Sequence, residues 1–367
     1  MPSAARGARW LVVADDTTGA LDGALGFLGT GTVEYRTARA TAPYDADVVA
    51  VSTGSRALAA HDGPAVRRTV EAAAARSPVR VFAKIDSTLR GWPVEHVEAV
   101  RDALPHPVTV VVCPAAPALG RTVEDGRVLV HGVPAMRSAA GRDAVAPVRE
   151  DRLTALFDAP VVDAGELPDL VGTHDAVVVD ASSEAELDAL ARVTEPLGRR
   201  VLLVGSSGLA AALGRLQDRD GAASAGPAEV PRAARGLVLV TSAHPLARQQ
   251  VVAAGNRWPV VAPPPMDADR VDHGTALATA QRTADAAAAL LRHDVEAVVV
   301  VGGDGADALL RALGASGVRL LGSLAHGVPW GRVRGGARDG LLIATKSGGF
   351  GDPETLDRVI TTLTKGP

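Results

Sequence analysis

Short runs of apolar, β-branched residues alternate along this chain with longer stretches in which alanine and leucine recur at helical spacing. Trp10–Ala14, Val48–Ser52, Val79–Ala83, Val108–Cys113, Ala176–Asp180 and Val201–Val204 predict strands in the first half. Leu237–Thr241, Ala297–Val301, Arg319–Leu321 and Leu341–Ala344 predict strands in the second. These runs are continuously apolar, as strands buried on both faces are. Between them Gly19–Gly29, Asp62–Arg76, Val94–Ala103, Ser183–Val193, Ser207–Gln217, Pro245–Ala254, Thr275–His293 and Ala306–Leu313 predict helices. Regular alternation of the two predicts an α/β protein of mostly parallel sheets flanked by helices.

One stretch, Asp218–Arg235, is small, polar and rich in Pro and Gly, the composition of a linker. It divides the 367 residues into an expected N-terminal domain, 1–217, a linker, 218–235, and a C-terminal domain, 236–367. Two domains are also what the length predicts. A net charge of −4 and 3% aromatic residues give no basic surface and no stacking platform, so no nucleic-acid or membrane partner is expected. No apolar run is long enough to span a bilayer. Met1–Trp10 lacks the character of a secretory signal, and the lone Cys113 excludes an internal disulfide. A cytoplasmic protein is the expectation. Of 38 Lys and Arg residues only Lys84, Lys346 and Lys365 are lysines. A lysine retained inside such a chain is a candidate for chemistry that arginine would not serve.

Candidate chemistry gathers where predicted strands end, the edge at which open α/β sheets bind ligands. Asp15-Asp16 follows the first strand. Either residue can cap the next helix, Asp15 being the favoured cap, and the other can hold substrate hydroxyls. Ser52–Arg56 follows the second strand as a turn carrying an arginine. Lys84-Ile85-Asp86-Ser87-Thr88-Leu89-Arg90 follows the third. That loop reads either as salt-bridged, Lys84 with Asp86 and Arg90 exposed, or as an anion pocket. In the second reading Lys84 and Arg90 grip a carboxylate and Asp86 accepts protons or hydrogen bonds from hydroxyls. Arg121 lies in a rigid Pro/Gly loop after the fourth strand, and Cys113 reads as a buried strand residue. Gly205-Ser206-Ser207-Gly208 suits either an anion at a helix N-terminus or a tight turn.

Three small-residue turns follow strands of the second half: Thr241-Ser242, Gly302-Gly303-Asp304-Gly305, and Lys346-Ser347-Gly348-Gly349-Phe350-Gly351. Together they suggest a cradle of backbone N–H groups for the phosphates of a nucleotide. None is a Walker A loop or GxGxxG. His131 and His326 fall in turns and read as surface residues, and no Cys/His metal spacing occurs.

ADDTTGA, KIDSTLRG, PAAPALGRTVEDG with HGVP, GSSGLA, GGDGA, HGVPWG and TKSGGFGD stand in that order. This set resembles the four-carbon acid sugar kinase family over nearly the whole chain, with KIDSTLRG and KSGGFG the specific motifs. The resemblance implies ATP-dependent phosphorylation of D-threonate, D-erythronate, L-threonate or a 3-oxo-tetronate, with Mg²⁺ on the phosphates. It implies a sugar-acid domain, a nucleotide domain and an active site in the cleft between them. Asp16, Arg56, Lys84, Ile85, Asp86 and Ser87 would then contact the acid. Ser242, Gly302, Gly303, Asp304, Gly305 and Gly348 or Gly349 would contact ATP. The sequence departs from the family's pattern at Thr17, where Leu is usual, and at Gly305, where Thr is usual. It departs again at Thr241-Ser242, where Gly-Ser is usual.

The expected function is thus an ATP-dependent kinase of a small hydroxy acid. Asp86 is the first choice to orient or deprotonate the acceptor hydroxyl, followed by Asp16 and Asp304; Lys84 and Arg56 would neutralise the acid. A NAD-dependent dehydrogenase is disfavoured by the missing GxGxxG. A non-catalytic acid-sugar sensor has only Gly305 in its favour. The assembly is left open, with a homodimer the case to test.

Overall fold

The structure, a computed structural model, describes residues 9–37, 46–56, 62–74, 80–143, 146–217, 229–264, 273–291 and 294–365. The strands are β1 (Trp10–Ala14), β2 (Val33–Arg36), β3 (Val48–Ser52), β4 (Arg80–Lys84), β5 (Thr109–Cys113), β6 (Arg121–Glu124), β7 (Arg127–Val130), β8 (Val133–Pro134), β9 (Ala176–Val178) and β10 (Val201–Gly205). They continue as β11 (Gly236–Val240), β12 (Val260–Val261), β13 (Ala297–Val301), β14 (Gly317–Ala325), β15 (Val328–Arg334) and β16 (Leu342–Lys346). The helices are α1 (Thr17–Leu25), α2 (Gly63–Ala74), α3 (Pro93–Asp102), α4 (Leu153–Phe157), α5 (Leu167–Leu170), α6 (Glu184–Thr194), α7 (Ser207–Gln217), α8 (Pro245–Ala254), α9 (His273–Leu290), α10 (Gly303–Ala312) and α11 (Thr355–Lys365). Chain contacts divide them into two units, Met1–Val33 with Pro43–Ala223, and Glu34–Ala42 with Ser224–Pro367.

The first unit carries a parallel sheet in the order β3-β1-β4-β10-β5-β9. Every residue of β1, β5 and β10 is buried, which explains the unbroken apolar runs. Trp10 packs on Phe27 with ring centroids 5.1 Å apart, and Phe27 on Phe82 at 6.2 Å. In this register Ala14 lies beside both Ser52 and Lys84, and Lys84 beside Gly205. The strand ends are therefore level, and the loops that follow them open at one edge.

The second unit has the order β12-β11-β13-β16-β15-β14-β2. Its first four strands are parallel, and β14 and β15 form an antiparallel pair. The early strand β2 closes it, pairing Arg36, Tyr35 and Glu34 with Gly317, Val318 and Arg319. The core joins Trp258, Trp330, Val299 and Val301 to Leu356, Val359, Ile360 and Leu363 of α11. Ala233 donates its N–H to Leu363 O at 2.7 Å and is buried in this core.

The α/β class and the parallel strands agree with the sequence, and the boundaries shift by a residue or a few. Val79, residues 75–76 and 292–293, and 218–228 of the expected linker lie outside the described residues. The domain division differs from expectation in two ways. Glu34–Ala42 groups with the second unit, and Ala233, expected in the linker, packs inside that unit. Elements without an apolar run escape the sequence reading. β2 is short and half charged, β15 alternates with glycine and proline, and α11 shows its apolar face only at helical spacing. Cys113 is fully buried, which pushes its thiol up to about 12, beyond the range of a nucleophile. His131 and His326 are exposed, as expected. No helix among the described residues is long and apolar enough to cross a membrane.

Candidate functional site

In the first unit, the residue after β1 and the residue that starts α1 divide two jobs. Asp16 is the helix cap: its carboxylate accepts the Gly19 N–H at 2.7 Å and the Thr18 hydroxyl at 2.6 Å. The capping role expected first of Asp15 thus falls to Asp16. Asp15 instead receives both arms of Arg56, Nε at 2.8 Å on Oδ2 and Nη2 at 2.6 Å on Oδ1. Arg56 Nη2 also lies 2.9 Å from Asp16 Oδ1, and Nη1 lies 3.7 Å from Asp86 Oδ1. Burial alone would lower the Arg56 guanidinium; Asp15, Asp16 and Asp86 hold it well above its ordinary value.

Asp86 is bound tightly from its own loop. Its Oδ2 accepts the Thr88 N–H at 3.1 Å, the Thr88 hydroxyl, and Arg90 Nε at 3.0 Å, while Oδ1 accepts Arg90 Nη2 at 2.8 Å. Arg90 continues to Asp143 Oδ2 at 3.2 Å. Burial would raise the Asp86 carboxyl, but Arg90, Arg56 and the hydrogen bonds keep it well below the usual carboxylate range. The buried Leu89 holds a left-handed φ of 66° in this loop. Gly91 adopts φ 84° with Arg56 against it, where a Cβ would come within 3.0 Å of Arg56 Cγ.

Lys84 does not pair with Asp86. Its ammonium donates to Ile85 O at 2.9 Å, and no carboxylate pairs with it among the described residues. Its stem lies along α1, so that a Cβ at Gly23 would be 3.2 Å from Lys84 Cγ. Ile85 is a core side chain that offers only backbone, its N–H going to Gly205 O. Ser87 is buried, and its hydroxyl makes no hydrogen bond among the described residues. Burial lowers the Arg121 guanidinium, with Asp86 opposing and Arg90 adding to the effect, which places Arg121 in the field of both. Asp16, Arg56, Lys84, Asp86, Ser87, Arg90 and Arg121 thus share one sheet edge. Thr88 and Asp143 complete it. Asp143 lies far from any strand end in sequence, and nothing in its neighbourhood marks it. The Gly205–Gly208 turn is a packing turn: Ser206 Oγ donates to Ala115 O at 3.0 Å, and a Cβ at Gly208 would meet that carbonyl at 2.4 Å.

In the second unit the three small-residue turns touch. A Cβ at Gly305 would sit 2.3 Å from Thr241 Oγ1, one at Gly348 would sit 1.8 Å from Ser242 Oγ, and one at Gly349 would sit 3.2 Å from His244 Nε2. At Gly305 and Gly348 a side chain would force the neighbouring loop to shift, and at Gly349 it would press on His244. Gly302 opens α10 at φ 123° with no side-chain cap, and its N–H bonds to Lys346 O at 3.0 Å. Gly303, Asp304 and Gly305 form the first helical turn, whose N–H groups have no partners within the helix. Lys346 is buried at the end of β16 and donates to Ser347 O at 2.7 Å. Burial lowers its ammonium to about 8. His244 was not singled out by the sequence. It caps α8, Nδ1 accepting the Leu246 N–H at 3.2 Å, which leaves the hydrogen on Nε2 beside Gly349. Its place directly before Pro245 at a helix start was the available signal. No group of three or more His, Cys, Asp or Glu among the described residues is arranged to hold a metal ion.

Both units match known families. A sugar-binding N-terminal domain family covers residues 10–213, and a nucleotide-binding C-terminal domain family covers 264–356. The D-threonate kinase of Bordetella bronchiseptica is 38% identical over 95% of this chain and 95% of that protein. The D-erythronate kinase of Heliobacterium modesticaldum is 28% identical over 94% of each. A crystal structure from Bordetella bronchiseptica, described as a domain of unknown function with bound citrate and a domain-swapped dimer, is 34% identical. It covers 98% of this chain and 99% of that one with a TM-score of 0.53.

Proposed function

This chain belongs to the four-carbon acid sugar kinase family, and on that premise we propose that it transfers the γ-phosphate of ATP to a hydroxyl of a small four-carbon sugar acid. The observation that carries this reading is Lys84. It is a buried cation at a strand end, held by one carbonyl and by no carboxylate among the described residues, in a loop whose own carboxylate, Asp86, is already taken by Arg90. A substrate carboxylate completes its partners.

Arg56 and Arg90 are positioning residues, since each is committed to the aspartates around it. With Asp86 held ionised, its role is to accept a hydrogen bond from a substrate hydroxyl and fix its direction; a carboxylate that gains protons so reluctantly is a poor base. This revises the expectation that Asp86 deprotonates the acceptor. Phosphoryl transfer asks little of a base and much of positioning. Asp16 and Ser87 offer the remaining acceptor and donor for hydroxyls, and Arg121 adds positive charge.

The second unit suits ATP because its loops keep small residues where a Cβ would intrude, leaving backbone N–H groups to meet phosphate. Ser242, Gly302, Gly303, Gly305, Gly348 and Gly349 would line that cradle, and Lys346 would supply a positive charge. Bound ATP supplies the phosphoryl group, and Mg²⁺ on its phosphates offsets charge. Asp304 and the phosphates would hold that ion, which keeps most of its waters and needs few carboxylates. The domain-swapped dimer of the Bordetella structure makes a homodimer the assembly to look for.

The test is ADP release measured with D-threonate, L-threonate, D-erythronate and a 3-oxo-tetronate in turn. Acid-dependent turnover with at least one of them supports the reading. ADP release no faster with any acid than without would overturn it.

A further inference from the structure

The two nucleotide-loop positions at which this sequence departs from the family pattern are in contact with each other. Thr241 stands directly after β11, and its side chain lies on the first turn of α10. A Cβ at Gly305 would meet Thr241 Oγ1 at 2.3 Å, Cγ2 at 2.7 Å and Cβ at 3.0 Å. One at Gly302 would meet Oγ1 at 2.6 Å. A side chain at 305 would force Thr241 to shift. The converse follows: with a small residue at 241, the space beside α10 would be open to a threonine from 305.

We infer that Thr241 and Gly305 are a reciprocal pair, in which a threonine supplied from the β11 loop takes the place of one supplied from α10. The Thr241 hydroxyl then acts as a positioning group for the phosphates of the nucleotide. Three observations support that role. The hydroxyl makes no hydrogen bond among the described residues, although Thr241 is partly buried. It lies against the helix turn Gly302–Gly305, which begins without a side-chain cap. Its backbone is fixed, the N–H groups of Thr241 and Ser242 both donating to Val301 O, at 3.0 Å and 3.2 Å. Gly305, read in isolation, looks like a lost hydroxyl and a degraded site. Read with Thr241, the hydroxyl is retained and comes from the other loop. The inference rests on the nucleotide reading of the second unit.

The test compares the full-length protein with T241G, G305T, the exchange T241G/G305T, and T241V, which removes the hydroxyl and keeps the shape. The readouts are melting temperature, ATP affinity by calorimetry, and KM for ATP against KM for the acid. G305T, which overpacks the turn, is expected to lose stability and to weaken ATP binding about tenfold or more. T241V is expected to raise KM for ATP several-fold and leave KM for the acid unchanged. The exchange is expected to return both stability and ATP affinity to within about threefold of the parent. An exchange no better than G305T alone would overturn the pairing, and T241V with the parent's ATP affinity would overturn the hydroxyl's role. Absence of ATP binding by the parent protein would instead defeat the nucleotide reading and the hydroxyl's role with it. The melting temperatures of G305T and the exchange would still decide the pairing.

Discussion

Lys84 and Lys346 hold corresponding places in the two units. Each is the last residue of a buried strand, and each turns its ammonium onto the carbonyl of the residue that follows, Ile85 O at 2.9 Å and Ser347 O at 2.7 Å. These are two of the three lysines in a chain that otherwise uses arginine. A compact ammonium can fold back on its own strand end and still present two hydrogens outward; a planar guanidinium cannot.

Removal of the first ammonium should disable the acid site alone. Lys84→Ala is expected to cost about 2–4 kcal/mol in kcat/KM for the acid, the scale for a buried charge left without its partner. ATP affinity should stay at the parent value. Steady-state kinetics with the acid varied, together with calorimetry of ATP binding, decide this; an unchanged kcat/KM would reduce Lys84 to a packing residue.

Lys346 carries a pH dependence whose sign can be worked out. Its folded value of about 8 lies below the ordinary lysine value of 10.5. The unfolded chain therefore binds the extra proton between about pH 8 and 10.5, and stability attributable to this group rises across that window. Urea midpoints should climb there in the parent and stay flat in Lys346→Met, which should also be the more stable protein at pH 7. ATP affinity should run the other way, weakening above about pH 8 as the cation is lost. A K346M protein with parental ATP affinity would contradict the assignment.

Asp86 gives the opposite stability sign. Its carboxyl is held well below the unfolded value of about 3.9. The stability it lends is complete above that unfolded value and is lost as pH falls through the folded one. Because it stays ionised throughout, kcat should show no acidic limb from Asp86 between about pH 5 and 8. Asp86→Asn should lower kcat at every pH in that range by a constant factor. A limb near neutrality that disappears in D86N would restore Asp86 as the general base.

The Asp15–Arg56 pair should act as one unit in stability. Arg56→Ala leaves Asp15 and Asp16 without their cation in a site where the Asp15 and Arg56 side chains are mostly shielded. A cost of about 3–5 kcal/mol is expected. The double variant D15A/R56A should cost less than the sum of the singles, because neither charge is then stranded. Additive urea midpoints would show that Asp15 and Arg56 are not coupled and would contradict this.

Much of this arrangement was legible in the sequence because buried parallel strands announce themselves as apolar runs, and their ends locate loops. Lys84, Asp86, Ser242 and the glycine turns were found that way. What strand ends could not reveal was how charge is divided within a loop. The salt-bridged reading of the loop pairs Lys84 with Asp86 and leaves Arg90 exposed; the fold instead gives Asp86 to the planar, five-donor Arg90. Asp15 and Asp16 are adjacent, yet one follows a strand and faces Arg56 while the other caps a helix. β2 was missed because four residues, two of them charged, make no apolar run. Gly305 was readable only as a loss until Thr241 was seen against it.

The central claim is that one chain joins an acid site to a nucleotide site to move phosphate. Phosphorus NMR of the full-length protein with D-threonate, ATP and Mg²⁺ tests it most directly. The account predicts a new phosphomonoester resonance that grows with ADP, depends on the acid, and is lost in Lys84→Ala. Growth of inorganic phosphate alone, at the same rate with and without acid, would contradict it.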